Sequence, residues 1–260
     1  MIPTARYELR MMLRKRSMWI SMAIIVGLLS LTAFRQISDA VRDNDARGVM
    51  TTVALLVNIF LPVGYGSLLA DRLVRDQLLG VAPILDATGG SALARLFGKY
   101  LGVCAAAAVP LATVYFGFAV VYTVVSGRPA GLAWALAAFA VVLLPAVLFV
   151  GAFALAVPLI MPASLFRVLF VGYWFWGNAI TPATMPTLAN SLVSPIGGYP
   201  LSALLGYRDT VSAGPTPGAS LNFLRPQPTP ATAWLSIAVL FALAALALYA
   251  AHAIRARTTR

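Results

Sequence analysis

The sequence predicts an all-α integral membrane protein, with six transmembrane helices preceded by an N-terminal interfacial amphipathic helix. Three observations predict it. Of the 260 residues, 60% are hydrophobic and only 10% charged, against roughly 45–50% and 25% in soluble domains. The apolar runs reach the roughly 20 residues that a helix needs to cross the hydrocarbon core. Runs such as GLAWALAAFAVVLLPAVLFVGAFALAVPLIM also lack the apolar–polar alternation of barrel strands. Finally, Lys and Arg stand between and beside the apolar runs, where topology-setting charges belong. The net charge of +11 is therefore read as an orientation signal and not as a nucleic-acid surface.

Residues 1–17 form the first expected element. At 100° per residue, Arg6, Arg10 and Arg14 share an arc of about 80°, and Leu9, Met12 and Leu13 another of about 100°. Such a helix lies at the bilayer surface, its apolar side in acyl chains and its arginines near anionic headgroups. Residues 18–253 then hold six spans, at 18–34, 49–70, 97–125, 131–161, 165–180 and 231–253. The first follows a basic flank, as a signal peptide would. Its apolar part is 17 residues long and no small-x-small cleavage site follows, so a retained anchor is expected. The third and fourth runs exceed the bilayer thickness and must tilt or kink. Pro110, Pro145 and Pro158, each lacking a backbone donor, mark natural kinks.

Thirteen of the 19 basic residues fall on one side if the N-terminus is cytoplasmic and six on the other. This predicts a multi-pass protein of the cytoplasmic (inner) membrane with both termini, including the basic tail 254–260, in the cytoplasm. Residues 181–230 would then be external. They carry nine of the chain's 17 prolines, which opposes regular helix. Only PLSALLGY, residues 200–207, has the character of a short helix. A cap over the outer face is expected.

Between the second and third spans, residues 71–96 interrupt the apolar sequence with a sign-balanced cluster. On a continued helix Asp71–Arg75 and Arg72–Asp76 are i,i+4 pairs, each contributing only a few tenths of a kcal/mol. Gly80 and Pro83 end that helix, TGGS turns the chain, and Ser91 is placed to N-cap the next helix. The product is a cytoplasmic excursion with the look of a docking surface.

That stretch, DRLVRDQLLGVAPILDATGGSALARLFGKYLG, resembles the loop after the second span in permease subunits of type-2 ABC exporters, through Arg75, Asp76, Gly80, Leu85, Thr88, Arg95, Gly98 and Lys99. Gly89 stands where that family often has Pro. The N-terminal E-L-R…R-x-R, at Glu8, Leu9, Arg10, Arg14 and Arg16, resembles the family's surface helix. The resemblance implies ATPase-coupling roles for Glu8, Arg10, Asp71, Arg72, Arg75, Asp76 and Gly80. It implies an ABC ATPase subunit as partner, a second permease copy or related half, and ATP with Mg on the partner.

The chain holds no phosphate-cradling G-x-x-x-x-G-K-[ST], so no cofactor is expected in it and its energy would come from that partner. One His (His252), one Cys (Cys104) and acids lying outside the apolar cores offer no catalytic constellation, so a transport subunit and not an enzyme is expected. Asn58 and Asn178 are the clearest polar residues within spans and the candidates for a substrate path; an interhelical hydrogen bond is the more ordinary role for Asn58. The aromatics of GYWFWGN, residues 172–178, read first as an interfacial belt. An apolar path would suit an amphipathic, drug-like or lipid-like substrate. Two other readings remain at this stage: a membrane assembly or immunity factor that transports nothing, and an ion-coupled carrier, which usually needs intramembrane carboxylates.

Overall fold

Capping chemistry and proline set most of the helix boundaries. The computed structural model describes residues 2–27 except Ser17, Ser21 and Ile25, and then 45–74, 91–207 and 213–258. All regular structure among these residues is helical. Helix α1 runs Ile2–Leu13. Helix α2, Ala46–Leu69, starts where the Asp45 carboxylate accepts the Arg47 amide at 3.0 Å. Helix α3, Ala92–Ser126, starts where Ser91 Oγ accepts the Ala94 amide at 3.1 Å, and it ends on Gly127 at φ 67°. The expected Ser91 cap is thus present.

Helix α4, Ala130–Leu159, changes gauge along its length. It is α-helical to Ala138, widens into a π segment at Phe139–Leu143, returns to α and tightens to 3-10 at Val157–Leu159. Pro145 explains the wide turn, since it has no N–H to donate and its ring crowds the preceding turn. The Leu144 amide reaches back to the Phe139 carbonyl across the gap. Pro158 sits in the tightened end. Helix α5, Ala163–Asn178, follows Pro162, and α6, Pro230–Thr258, is the last described helix.

Among the described residues four helices, α2, α3, α4 and α6, are long and apolar enough to cross a membrane. Their length and composition are those of a helical membrane protein. The expected span 165–180 corresponds to α5, whose 16 residues cover about 24 Å, short of the roughly 30 Å hydrocarbon core. Of the expected span 18–34, the described residues up to Gly27 are helical and the rest lies outside the described residues.

Helix α4 is the hub, packed against α2, α3 and α6. Cross-helix contacts fix antiparallel neighbours. Tyr100 Oη of α3 donates to Leu148 O of α4 at 3.0 Å, and Tyr115 Oη to Met50 O of α2 at 3.0 Å. Trp174 Nε1 of α5 donates to Ile59 O of α2 at 2.7 Å. Gly66 lets α5 close on α2: a Cβ there would lie 2.5 Å from the Phe170 ring. The Pro-rich segment folds over one end of this bundle, with Ile196, Leu201, Leu205 and Tyr207 joining the core. Its short helical piece is a π turn, Pro200–Leu204.

Candidate functional site

At the end of the bundle opposite that cap, α1 lies across the start of α3. The crossing is tight at Gly102, where a Cβ would stand 2.5 Å from the Ala5 carbonyl oxygen and 2.8 Å from Glu8 Cβ. It presses Glu8 into the protein, 3% exposed. The carboxylate meets Lys99 Nζ at 3.3 Å and Arg72 Nη1 at 3.9 Å. Lys99 Nζ also donates to the Arg72 carbonyl at 3.3 Å. Three buried charges therefore join α1, the turn after α2 and the second turn of α3. Their sum is +1, and burial makes each depend on the others.

This arrangement also explains where α2 stops. A helix continuing through residues 71–76 is expected from the sequence. Helix α2 ends at Leu69, residues 70–73 form a turn and Val74 is again helical, while Arg75 and Asp76 with their expected i,i+4 pairs lie outside the described residues. The turn carries Arg72 to Glu8 and gives its carbonyl to Lys99. Asp71 pairs with Arg167 of α5, which also donates to Ser67 O at 3.2 Å. That pair is half-exposed and adds little stability. Arg10 stays on the exposed side of α1, away from the cluster. Arg75, Asp76 and Gly80 lie outside the described residues.

From the cluster a buried polar stripe runs up α2. Thr51, Asn58 and Tyr65 recur at seven-residue intervals, and Arg72 continues the interval into the turn. All four are at most 3% exposed. Asn58 Nδ2 donates to Pro195 O at 2.9 Å and Ile196 O at 3.1 Å, which ties the Pro-rich cap to the spans. Asn58 Oδ1 and Tyr65 Oη are buried with no hydrogen-bond partner among the described residues. The sequence carries this signal in its heptad spacing, which Asn58 taken alone does not reveal.

The capped end is held by groups that sequence reading assigned elsewhere. Asn178 Nδ2 donates to Trp174 O at 3.0 Å, and its Oδ1 accepts Ser194 Oγ at 2.8 Å. Arg47 and Arg225 count in the sequence merely as external charges. Arg47 donates to Leu205 O and lies 4.9 Å over the Trp134 ring. Arg225, 1% exposed, donates to Thr187 O at 2.6 Å and Ala189 O at 3.0 Å. Nearby Tyr199 Oη donates to Pro226 O at 2.7 Å. Burial pushes the Tyr199 phenol up to about 12, with the Arg225 charge pulling the other way. Trp174 corrects the belt reading: it is 1% exposed and part of the core, while Phe175 and Trp176 face outward.

Among the described residues no group of three His, Cys, Asp or Glu could hold a metal ion, and Cys104 is a buried thiol facing Gly151. What the charged end can do is transmit displacement, because one carboxylate holds three separate elements. No family model, curated protein or solved structure matches the chain.

Proposed function

We propose that the chain is the transmembrane permease subunit of an ATP-driven exporter of the type-2 ABC class, moving an amphipathic, drug-like or lipid-like substrate out of the cell. It works with a separate ATPase subunit that binds ATP and Mg, and with a second permease copy or related half. In this reading six helices cross the inner membrane, α5 and the helix beginning near residue 18 included, and both termini are cytoplasmic. Residues 71–96 form the coupling loop, with Arg75, Asp76 and Gly80 in the part that meets the ATPase, and Asp71 and Arg10 at its borders. Asn58 and Asn178 flank the substrate path near the external cap.

One observation supports this reading above the others. The Glu8–Lys99–Arg72 cluster ties the N-terminal helix to both roots of the loop, so a push on that loop is shared among α1, α2 and α3. A rigid shared root is what a subunit driven from outside requires, because the work must reach the spans and not be lost in a flexible linker. An ion-coupled carrier finds less support: among the described residues the buried carboxylate, Glu8, sits on the N-terminal helix and is occupied by two cations.

The test is co-expression with a Walker-motif ATPase encoded in the adjacent reading frame. Co-purification and ATP hydrolysis stimulated by this chain are expected. Two well-folded proteins that do not associate would sink the proposal. Because Arg10 is exposed and outside the cluster, Arg10→Glu should lower the stimulated hydrolysis severalfold while leaving the melting temperature of the isolated chain unchanged.

A further inference from the structure

We propose that the Pro-rich cap binds a small monovalent anion, chloride or a carboxylate, at the side chain of Arg225. Arg225 is 1% exposed, and a buried guanidinium calls for a counter-charge and a full set of acceptors. Its Nε donates to Ala189 O at 3.0 Å and its Nη2 to Thr187 O at 2.6 Å. Nη1, the remaining arm of the fork, is buried and meets no acceptor. Both partners are neutral carbonyls, so the positive charge itself is unbalanced. Burial lowers the pKa of the guanidinium, with Tyr199 pulling the other way, yet an arginine starts too high to escape its charge by losing a proton.

The described carboxylates are engaged elsewhere. Glu8 and Asp71 meet cations at the opposite end of the bundle, and Asp45 caps α2 by accepting the Arg47 amide at 3.0 Å. The neighbouring Tyr199 Oη gives its proton to Pro226 O at 2.7 Å. The carbonyls that hold Arg225 come from a turn that Asn190 continues at φ 60°, a conformation that a residue with a side chain keeps only where its surroundings fix it. The grip on Nε and Nη2 is therefore firm, and Nη1 is held in place.

An anion suits Nη1 better than water does. Water would satisfy the N–H groups and leave the charge, whereas a charge-assisted bond to an anion answers both. Size and valence follow. Nη1 is enclosed, so a small ion is accommodated at less cost than a bulky one, and a single negative charge balances a single guanidinium. The medium is close at hand: Phe223, two residues before Arg225, is 78% exposed, and Gln227, two residues after it, is exposed as well.

The inference needs only the folded cap and stands apart from the exporter reading, so its test uses no ATPase. The full-length chain in an uncharged detergent is placed in sodium chloride, and the chloride NMR line is followed at constant ionic strength with isethionate as the bulky replacement anion. The wild type should broaden that line several times more than Arg225→Gln does. Broadening that acetate reverses identifies a site open to carboxylates, and broadening that acetate leaves in place identifies a halide site. If Arg225→Gln fails to fold, the wild type serves alone: proteolysis of the cap should be severalfold slower in chloride or acetate than in isethionate. Equal line widths for wild type and folded variant overturn the proposal, as does an equal rate of proteolysis in every salt. So does broadening that appears only after Asp209→Asn, because the counter-charge would then be the last carboxylate of the chain itself.

Discussion

At the residue scale, buried charge is the sharpest determinant. Glu8 is a buried carboxylate set against two buried cations, Lys99 at 3.3 Å and Arg72 at 3.9 Å. Glu8→Gln removes its charge from both contacts, a loss of about 3 kcal/mol for a buried pair broken in this way. Its thermal unfolding in detergent should fall accordingly, and Glu8→Gln with Lys99→Met should recover part of the loss. Tyr199 makes a second case, with a sign that can be checked. Its phenol titrates from the ordinary 10.0 up to about 12 because of burial. A folded-state value above the unfolded one favours the folded state at lower pH, so the contribution is complete below pH 10 and disappears as pH rises towards 12. Protection of the Pro-rich segment from proteolysis should decline over that window, and Tyr199→Phe should flatten the decline. Tyr199 does not announce itself in the sequence, and Glu8 does so through its E-L-R motif but not as a buried charge. Glu8 lies on a helix whose arginines and leucines already make a surface pattern, and its partners are brought to it only by the fold.

At the element scale, the sequence is far more legible. The expected runs 49–70, 97–125, 131–161 and 231–253 lie on α2, α3, α4 and α6, because a long apolar stretch has few alternatives to a spanning helix. Ser91 is legible for the same local reason: a cap depends on four consecutive residues. The course of α1 is not legible, since an apolar arc of Leu9, Met12 and Leu13 suits lipid and protein equally. The decisive residue is Gly102, with no side chain at all. Gly102→Val would set a branched Cβ into the Ala5 carbonyl and should lift α1 from α3. A cysteine placed at Leu9, half-buried beside the core, should then react with maleimide several times faster than in a Gly102 background.

At the scale of the whole molecule, the two ends are built differently. One is a charge cluster roofed by α1, and the other is a cap of backbone carbonyls gripped by Asn58, Arg47 and Arg225. The excess of basic residues predicts the first end to be cytoplasmic. Cys104 is buried, so the wild-type chain should stay silent to an impermeant maleimide and serve as its own blank. Gln77→Cys should label only from the cytoplasmic face of the membrane, and Thr184→Cys only from the opposite one. Labelling of both from one side would overturn the orientation. The cap could be foreseen as a non-helical region from its prolines, but its attachment could not, because Arg47 and Arg225 serve it through carbonyls distant in sequence.

The heptad spacing of Thr51, Asn58 and Tyr65 carries a mechanical consequence. A straight α-helix drifts about 20° for every seven residues, so over these two intervals a rigidly straight α2 would rotate one end of the row about 40° toward the lipid. A drift of that size stays inside a helix that is buried on every side from Val49 to Leu55, and the row is held to the cap at Asn58 and to the charged knot at Arg72. A displacement of the knot is therefore handed to the cap along one row of side chains, through half the length of a single helix.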